Sequence, residues 1–568
     1  MQKQWRAKPE PDKKTVEALA TAINVNKVLS GILVQRGVDT FEKAKNFFRP
    51  QYSHMHDPFI MKGMTRAIER IDEALEKNQK ILIYGDYDVD GTTSVATVYD
   101  FFSKRFKEIE YYIPDRYTEG YGISFMAIDW ASNNGYSLII ALDCGIKAND
   151  KVKYANKKGV DFIICDHHLP GEELPEAVAI LNPKQADCPY PFKELSGCGI
   201  GLKLVQGYCI KHELDFKEVE EYMDLSAISV ASDLVPIMDE NRVITYQGLK
   251  KLKNNPNRGI KALLENYAPR PEYSVNDIVF FIGPRINAAG RIADAKDSVR
   301  LMISYKDKDS AEIAEMINHH NNERRNFDSS ITEEAFNMIL ADKDFHTRKS
   351  TVLFHSEWHK GVIGIVASRL IEKYYRPTIV LTESNGMAAG SARSVEGFDL
   401  YGAIEECADL LEQYGGHTHA AGLTLRVENV PKFQEKFEAI VSKNIVTRSL
   451  TPEIEYDTEI PFRAITPKFF SVLKQFAPFG PGNASPIFMT RNVWDVGDAT
   501  IVGNNHLRLS LTHEEGGRIY KAIGFGLGEH HDKVAQGISF DICYYIEENF
   551  FNGHVNLQLN IKDILFKT

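Results

Sequence analysis

The segment of residues 81–96, ILIYGDYDVDGTTSVA, constrains the fold of this chain more than any other part of the sequence. Its first four residues are apolar or aromatic and are followed by turn-forming residues, which predicts a short buried strand of a parallel sheet. Carboxylates then follow at alternate positions, before threonines and a serine that open a helix: Asp86, Asp88 and Asp90. Carboxylates this close repel one another unless cations neutralise them, and such oxygen ligands suit Mg²⁺ or Mn²⁺. Because open α/β sheets bind ligands at the carboxyl ends of their strands, the segment predicts a metal site there.

The same acidic segment also matches the beginning of an EF-hand calcium loop, or a plain acidic surface loop. An EF-hand loop follows a helix and carries a bidentate glutamate at its twelfth position. Here the preceding residues favour a strand, and the twelfth position is Thr97. These two differences favour the site at the sheet edge over the calcium loop.

Further predicted elements end in residue types that bind metals. The run SLIIALDCGI places Asp143 at the end of an apolar strand, and VDFIICDHHLPG places His167 and His168 at the end of another. Parallel strands present their carboxyl ends on one edge of the sheet, so we expect these side chains to meet. Asp233 lies near the end of an apolar helical run, where a buried carboxylate needs a partner or a cation. We therefore predict Asp233 as a further metal ligand rather than a helix-capping residue.

The composition is that of a globular protein with several domains. At 568 residues the chain is too long for one hydrophobic core, which predicts three or four domains. The formal net charge of −11 argues against a surface coated in positive charge for nucleic-acid binding, but it allows a local basic groove. The start of the chain is polar, which argues against a secretory signal. The sequence has no run of ~18 apolar residues, which argues against a membrane span. Seven cysteines without a CxxC pair predict a reducing compartment, and we expect a cytoplasmic protein.

The order of predicted elements divides the chain into five segments. A helical lead-in at 1–55 precedes an α/β domain with a parallel sheet at 56–306. A long polar helix at 307–348 connects this domain to a smaller α/β domain at 349–448. Short alternating strands at 449–568 predict a small β-barrel, for which an OB-fold is the natural candidate.

Candidate anion-binding residues lie outside the acidic cluster. Arg116 lies among tyrosines and glycines, in either a plain surface loop or a loop that reaches a phosphate near the metals. In GPRINAAGR, small residues permit close backbone approach and the polar side chains could clasp a phosphate backbone: Arg285, Asn287 and Arg291. The turns GSARS and GGHTHAAG offer backbone N–H groups and polar side chains to an anion: Ser391, Arg393, Gly415, Gly416 and His417. Each of these segments is also compatible with an ordinary surface turn.

The DHH triplet at 166–168, with the upstream DxD and the lone Asp143, resembles the DHH phosphoesterase superfamily, whose members hydrolyse phosphate esters or anhydrides with a two-metal centre. Nearly the whole chain resembles the RecJ family of bacterial exonucleases within it. The motifs that carry the likeness are YGDYDVDG, LDCG, DHH, ASDLVP, GPRINAAGR, WHKGVIGIVASR, GSARS and GGHTHAAG. The resemblance implies a 5′–3′ exonuclease, specific for single-stranded DNA, that releases 5′-mononucleotides with Mn²⁺ or Mg²⁺ in recombination and repair. A helicase and a single-strand-binding protein are the expected partners of what we expect to be a monomer.

The resemblance also implies a role for each matched residue. The expected metal ligands are Asp86, Asp88, Asp90, Asp143, His167, His168 and Asp233, with Asp143 shared between two ions. The residues expected to act directly in catalysis are Asp90, Asp143 and His168, the last at the scissile phosphate or at a water on the metal. The expected contacts to the 5′-phosphate are Arg116, Ser391 and Arg393, and the expected contacts to the strand are Arg285, Asn287, Arg291, Gly415, Gly416 and His417. Pyrophosphatase-type members carry a histidine where this chain has Tyr84, which predicts a second metal site that is weaker or built differently.

Two other functions remain open at this point. A DHH phosphodiesterase of dinucleotides or short oligonucleotides would need both α/β domains, but it would leave segment 449–568 without a purpose. A non-catalytic replication scaffold on the same fold would not need the intact acids and histidines. Tyr84 and the additional domains disfavour a pyrophosphatase. The exonuclease is therefore the favoured function.

Overall fold

The chain folds into two compact units. The computed structural model describes residues 3–265, 267–268, 270–514, 517–551 and 554–566. The smaller unit is built mainly from Asn318–Ile454, together with the described residues of Met1–Arg6 and with Arg291–Ala293. The larger unit contains the described residues of Ala7–Gly290, Asp294–Ile317 and Glu455–Thr568.

The N-terminal segment consists of one strand and three helices: β1 (Gln4–Ala7), α1 (Lys13–Ile23), α2 (Lys27–Gln35) and α3 (Phe41–Phe48). The side chains of Asp12, Asn26 and Thr40 accept backbone N–H groups at the three helix starts, as N-cap residues do. By length and composition no single helix in the described ranges could span a membrane, and only the bent pair α1–α2 passes that test when its helices are combined.

A parallel five-stranded sheet forms the centre of the larger unit. Its elements are α4 (Met64–Glu76), β2 (Lys80–Gly85), α5 (Val89–Ser103), β3 (Ile109–Tyr112), α6 (Phe125–Asn133), β4 (Tyr136–Leu142), α7 (Asn149–Lys157), β5 (Asp161–Cys165) and β6 (Ala179–Leu181). The strand order is β3-β2-β4-β5-β6, and every neighbouring pair is parallel. Alternate residues of β2, such as Ile83 and Leu82, enter separate hydrophobic clusters on the two faces of the sheet. The predicted parallel α/β domain is confirmed.

Helices complete this domain and bring a further acid to the edge of the sheet. They are α8 (Gly197–Lys211), α9 (Lys217–Glu220), α10 (Met223–Ser232), α11 (Asp239–Asn254), α12 (Arg258–Leu264), α13 (Val275–Asp277), a π-helical turn (Ile278–Ile282), α14 (Gly283–Ile292) and α15 (Lys296–Met302). Almost all residues of α8 and α10 are buried, in the same core as α5. Asp233 follows directly after α10.

The long helix α16 (Asp307–Ala341) is 35 residues long and lies within the predicted connecting segment 307–348. Ala314 and Ile317 pack in the core of the larger unit. Ile331 and Ala335 pack in a core of the smaller unit. The helix therefore contributes apolar side chains to both units, although most of its residues are polar.

The smaller unit is an α/β domain with a mixed sheet. Its elements are β7 (Thr351–Phe354), α17 (Ile363–Tyr374), β8 (Thr378–Ser384), β9 (Met387–Arg393), α18 (Leu400–Glu405), β10 (Leu411–His417), β11 (Ala420–Arg426) and α19 (Val430–Asn444). The strand order is β10-β11-β9-β8-β7, in which only β7 and β8 are parallel. The turns GSARS and GGHTHAAG therefore lie on three neighbouring strands.

The C-terminal segment is rich in strands. Its elements are β12 (Glu453–Tyr456), β13 (Thr458–Glu459), α20 (Pro467–Lys474), β14 (Phe488–Asp495), β15 (Thr500–Val502), β16 (His506–Thr512), β17 (Tyr520–Gly524), α21 (His531–Ala535), β18 (Phe540–Phe551) and β19 (His554–Phe566). The strand order is β13-β14-β18-β19-β17-β16-β15, and an additional β14–β16 pairing joins five of these strands in a closed ring. Phe476 and Tyr544 are fully buried, so they are core residues, whereas Phe525 is exposed.

The N-terminal helices share one hydrophobic core with this C-terminal segment. Leu29, Leu33 and Phe47 belong to the same cluster as Phe488 and Leu509. In addition, the Lys8 ammonium contacts the Asp457 carboxylate at 2.8 Å. The two ends of the larger unit therefore bury their apolar surfaces against each other.

Candidate metal centre and phosphate-binding residues

The acidic loop after β2 is shaped by a close approach of two backbone segments. A Cβ atom on Gly91 would lie 2.4 Å from the carbonyl oxygen of Asp86, so only glycine fits there. Asp88 is the N-cap of α5 and accepts the backbone N–H of Gly91 at 3.0 Å. Asp86 is buried at the end of β2, and Asp90 is buried in the first turn of α5. The loop thus brings three carboxylates into a small volume, as predicted from their spacing.

Asp90 is held by the start of helix α8. Its carboxylate accepts the backbone N–H groups of Gly197 at 2.7 Å and Cys198 at 2.8 Å, and the hydroxyl of Ser229 at 2.7 Å. The Ser229 and Ser196 hydroxyls are 2.6 Å apart. A helix N-terminus favours an anion, so the start of α8 is a favourable position for the Asp90 carboxylate.

His167 lies at the centre of the cluster. Its Nε2 atom is 3.2 Å from Asp143 Oδ1, 3.6 Å from Asp233 Oδ2 and 3.8 Å from Asp90 Oδ2. In the part of the chain that the structure describes, two groups of side chains have ligand atoms within 4.8 Å of one another: Asp90 with His167 and Asp233, and Asp143 with His167 and His168. Five of the predicted metal ligands therefore converge at the carboxyl edge of the sheet, whereas Asp86 and Asp88 belong to neither group.

Asp143 adopts a backbone conformation that is uncommon for a residue with a side chain. Its φ of 59° lies in the left-handed region, which aspartate tolerates better than most residues. Its backbone N–H donates to the carbonyl of Cys165 at 2.8 Å, on the neighbouring strand. A Cβ atom on Gly197 would lie 2.7 Å from the Cβ of Asp143. The strained turn and the glycine at the start of α8 together allow Asp143 to enter the cluster.

His168 belongs to a separate hydrogen-bonded chain. Its Nδ1 lies 2.7 Å from Oδ1 of Asp166, and its Nε2 lies 3.1 Å from the hydroxyl of Tyr121. Asp166 also accepts the backbone N–H groups of Ile146 and His168. Burial alone would raise the pKa of Asp166, but the hydrogen bond from His168 and these N–H groups lower it. Burial lowers the pKa of His168, and the contact with Asp166 outweighs this and raises it.

The electrostatics of the cluster fit a divalent cation. Burial, followed by repulsion from a neighbouring carboxylate, raises the pKa of Asp86, Asp88, Asp143 and Asp233, the last to about 8. Burial also lowers the pKa of His167, which favours the neutral imidazole that binds metals. Among the described side chains of this cluster, three buried polar atoms lack a hydrogen-bond partner: Asp86 Oδ1, Asp143 Oδ1 and His167 Nδ1. Carboxylates with a neutral imidazole suit Mn²⁺ or Mg²⁺, and a cation would compensate the buried negative charge.

Arg116 and helix α14 lie beside the acidic loop. The guanidinium carbon of Arg116 is 5.1 Å from the centre of the Tyr87 ring. A Cβ atom on Gly290 would lie 2.7 Å from the Tyr87 carbonyl oxygen, so α14 packs directly on the loop backbone. Asn287 lies one helical turn before Gly290, on the same side of α14. Arg285 instead packs over the Phe281 ring at 3.5 Å and donates to the Phe281 carbonyl at 2.9 Å.

The predicted residues of the smaller unit gather around the start of α17. A Cβ atom on Gly364 would lie 2.8 Å from Ser391 Oγ and 2.9 Å from Arg393 Nη2. Arg393 donates to Ser391 Oγ at 3.0 Å. Arg291 belongs to this unit and donates to the carbonyl of Gly361 at 3.1 Å, just before α17.

The turn between β10 and β11 continues this group of residues. Arg393 is paired with Ala420 on β11, and Ala420 is paired with His417 on β10. His417 therefore lies two strands from Arg393 at the same register, and Gly415 and Gly416 precede it in β10. Burial, then the charges of His419 and Arg393, lowers the pKa of His417.

Sequence reasoning missed the groups that orient the predicted residues. Ser196, Ser229 and the backbone of Cys198 hold Asp90, and Asp166 orients His168. The glycine-rich start of α8 could have indicated that backbone N–H groups hold Asp90. The DHH triplet already contains Asp166, the residue that orients His168.

Comparison with known proteins gives the family. Three family models match the chain: the DHH family N-terminal domain at 80–230, the DHHA1 domain at 348–443 and the RecJ OB domain at 456–563. The smaller α/β domain and the C-terminal OB domain expected from the sequence are thereby confirmed.

Curated relatives and solved structures match over most of the chain. The single-stranded-DNA-specific exonuclease RecJ of Bacillus subtilis is 36% identical and covers 97% of this chain and 70% of its own length. The protein of that name in Escherichia coli is 31% identical, and the match covers 89% of this chain and 90% of the Escherichia coli protein. The crystal structure of RecJ from Thermus thermophilus in complex with Mn²⁺ matches with a TM-score of 0.85 at 24% identity, over 100% of this chain and 80% of that chain. A crystal structure of exonuclease RecJ bound to manganese is 27% identical, with a TM-score of 0.60 over 68% of this chain and 96% of that chain. The chain belongs to the RecJ family of single-stranded-DNA-specific exonucleases.

Proposed function

We propose that this chain is a metal-dependent 5′–3′ exonuclease of single-stranded DNA that releases 5′-mononucleotides, in DNA recombination and repair. The observation that carries the proposal is the convergence of Asp90, Asp143, His167 and Asp233 around one buried point at the edge of the sheet. The matched relatives, which are named single-stranded-DNA-specific exonucleases, support the substrate.

The buried acids and His167 would hold Mn²⁺ or Mg²⁺, with Asp143 shared between two ions and with Asp86 and Asp88 as additional ligands. When bound, such ions polarise a phosphodiester, promote ionisation of the attacking water and stabilise the leaving oxygen. The protein fixes Asp90 through the amides of α8, which orients its carboxylate in advance. Burial lowers the pKa of His167, which favours the neutral ring whose lone pair a cation can use.

His168 supplies a positioned proton. Its Nδ1–H is held by Asp166, which keeps the ring in place and favours the imidazolium. The opposite nitrogen, Nε2, contacts the hydroxyl of Tyr121 and is the atom that would donate to an oxygen of the scissile phosphate. This arrangement supports a role for His168 in charge stabilisation at the phosphate.

Basic and small residues would hold the strand. Arg116 beside the acidic loop, and Ser391 with Arg393 at the start of α17, provide donors for a 5′-phosphate. The remaining predicted strand contacts are Arg285, Asn287, Arg291, Gly415, Gly416 and His417. The OB domain supports a long single strand rather than a dinucleotide as substrate.

The expected setting of the enzyme follows from the same proposal. A helicase and a single-strand-binding protein would supply the single strand, and the chain would act as a monomer. All seven cysteines are free and buried, which supports a reducing compartment such as the cytoplasm.

A degradation assay tests the proposal. The substrate is a single-stranded oligonucleotide with a 5′-phosphate and a 3′ label, incubated with Mn²⁺. We expect progressively shorter labelled fragments together with mononucleotides, and no cleavage by Asp143→Ala or with a chelator present. Asp150→Ala, which removes an exposed carboxylate paired with Lys151, is the matched control and should retain activity.

Other outcomes would replace the proposal. Survival of the long strand with hydrolysis of a dinucleotide would favour the short-oligonucleotide phosphodiesterase. Binding of the strand without cleavage of either substrate would favour the scaffold.

A further inference from the structure

One loop carries two of the side chains that lie beside the metal centre. Residues 113–124 connect β3 to α6 and contain Arg116 and Tyr121. Arg116 lies over the ring of Tyr87 in the acidic loop, with 5.1 Å between the guanidinium carbon and the ring centre. Tyr121 contacts Nε2 of His168 at 3.1 Å. The position of this loop therefore sets the position of both groups.

The loop backbone would not hold this position by itself. Gly120 and Gly122 have φ values of 82° and 79°, and a Cβ atom on either would meet nothing within 4 Å. Both glycines are therefore conformationally permissive rather than required by close packing. Asp115 stabilises a local turn by accepting the N–H groups of Tyr117 and Thr118, which does not attach the loop to the sheet.

Glu119 attaches the loop at one point. Its carboxylate accepts the hydroxyl of Tyr112 at 3.0 Å, the backbone N–H of Asp115 at 2.9 Å and the hydroxyl of Ser124. Tyr112 is the last residue of β3, and Ser124 is the N-cap of α6. Glu119 thus links the end of the strand, the loop and the start of the helix.

Tyr84 attaches the loop at a second point. Its side chain is buried in β2, and its hydroxyl donates to the carbonyl of Gly122 at 2.7 Å. Tyr84 is the register partner of Tyr112 on the neighbouring strand, and the two rings stack with centres 5.7 Å apart at 8°. One stacked pair of tyrosines therefore carries both attachments. The loop therefore engages the hydroxyl of Tyr84.

We propose that Tyr84, Tyr112 and Glu119 are positioning residues that hold Arg116 and Tyr121 at the metal centre and so set the preference for a 5′-phosphorylated end. This inference rests on the proposed exonuclease function for its kinetic consequence. The attachment of the loop itself is independent of that function. None of the three residues needs to touch the substrate.

The test uses the full chain with Tyr84→Phe and Glu119→Gln. Each variant removes or weakens the attachment with little change of volume. Tyr112→Phe provides the same test if Tyr84→Phe does not fold. Tyr154→Phe is the matched control, because Tyr154 also donates to a carboxylate, that of Asp129, at 2.7 Å, in a bond that joins α7 to α6 rather than to residues 113–124.

Two readouts separate positioning from general damage. Hydrogen–deuterium exchange should accelerate in peptides covering residues 113–124 and remain unchanged elsewhere. With 5′-phosphorylated oligonucleotides we expect KM to rise about tenfold while kcat stays within about twofold, since one hydrogen bond is lost. With 5′-hydroxyl oligonucleotides we expect little change, so the preference for the phosphorylated end should collapse. The affinity for Mn²⁺, measured by calorimetry, should equal that of the wild type.

Each alternative result has a distinct meaning. The positioning role would be overturned by any one of three results. These are unchanged exchange in the loop, an unchanged preference for the phosphorylated end, and a loss of Mn²⁺ affinity that is equal in all variants. If the wild-type protein cleaves neither oligonucleotide, the proposed function fails. The exchange experiment then still decides whether the tyrosine pair and Glu119 hold the loop.

Discussion

Asp90 depends on a hydroxyl group that no motif reveals. Ser229 lies in α10, yet its Oγ is 2.7 Å from Asp90 Oδ1 and 2.6 Å from Ser196 Oγ. Removing this donor would leave the carboxylate less well oriented toward a cation. We expect Ser229→Ala to weaken Mn²⁺ binding about tenfold, as measured by titration calorimetry.

A neighbouring serine provides the control for this prediction. Ser226 is equally buried in the same helix, but its Oγ contacts the Cys198 thiol at 3.5 Å rather than Asp90. Ser226→Ala should bind Mn²⁺ as the wild type does. Equal losses in the two variants would mean that α10 responds to any change of packing, and the hydroxyl would have no specific role.

We expect Asp233 to make metal binding dependent on pH. Burial, followed by repulsion from Asp90 and Asp88, raises its pKa from 3.8 to about 8 in the metal-free protein. Between these values the folded chain holds a proton that the unfolded chain releases, so this group lowers the stability of the metal-free protein as the pH rises. A cation must displace the proton, which costs more at lower pH. We therefore expect Mn²⁺ to raise Tm more at pH 8.5 than at pH 6.5, as measured by scanning calorimetry.

The variant Asp233→Asn tests the assignment of this effect. An amide does not titrate in this range, so the variant should show a smaller Mn²⁺-induced rise in Tm that differs less between the two pH values. If Asp233→Asn keeps the full difference, another group of the cluster is responsible.

At the level of residues, the sequence predicts which side chains meet at the edge of the sheet better than it predicts the groups that orient them. Asp143 and His167 could be found because each ends an apolar run, and parallel strands bring such ends together. Ser229 could not be found, because its contact with Asp90 depends on how α10 packs against α5. The hydroxyl of Tyr121 could be placed near the site from its neighbour Arg116, but its contact with His168 depends on a loop conformation.

Helix α14 packs on the acidic loop through one glycine. A Cβ atom on Gly290 would lie 2.7 Å from a backbone oxygen, that of Tyr87, which a side-chain rearrangement cannot relieve. We expect Gly290→Ala to lower stability by about 1–3 kcal/mol, seen as a lower midpoint of thermal unfolding.

The same substitution elsewhere should have the opposite sign. Gly31 lies within α2, and its Cβ atom would meet only Pro11 at an ordinary 3.7 Å. Gly31→Ala should raise stability by about 0.5–1 kcal/mol, because alanine loses less conformational freedom in a helix. If both substitutions stabilise the protein, α14 does not need its close approach to the loop.

At the level of elements, periodicity predicts helices and strands but not always the core they enter. The polar pattern of 307–348 predicts a long connecting helix, and α16 is observed within that segment. Its sparse apolar residues nevertheless belong to two cores, of which Ile317 and Ile331 are examples. Single apolar residues on a polar helix give too weak a pattern to identify the core they enter.

The larger unit joins sequence segments that are far apart. The helices of the predicted segment 1–55 bury Leu29 and Leu33 in the core that Phe488 and Leu509 share. The amphipathic pattern of α2 predicts that one face is buried, but it does not identify the partner. Contacts across more than 400 residues, such as that of Lys8 with Asp457, leave no signal in a single sequence.

Arg242 joins three parts of the larger unit at one buried point. Its guanidinium lies 3.7 Å from the centre of the Phe47 ring and donates to the carbonyls of Phe47, Pro478 and Ala477. Arg242→Ala would remove this donor from the carbonyls of Phe47 and Ala477, at a cost of about 3 kcal/mol, whereas the Pro478 carbonyl would keep its hydrogen bond from Asn483. Lysine at this position would not restore the contacts, because an ammonium group cannot reach several carbonyls in one plane.

We therefore expect Arg242→Ala and Arg242→Lys to lower Tm and to expose residues 8–50 to limited proteolysis. Arg66→Ala, at an exposed helix position, should do neither. If the variants are cleaved faster only within residues 8–50, Arg242 is needed to hold the N-terminal helices against the rest of the unit. If cleavage is unchanged, the shared hydrophobic core is sufficient to hold them.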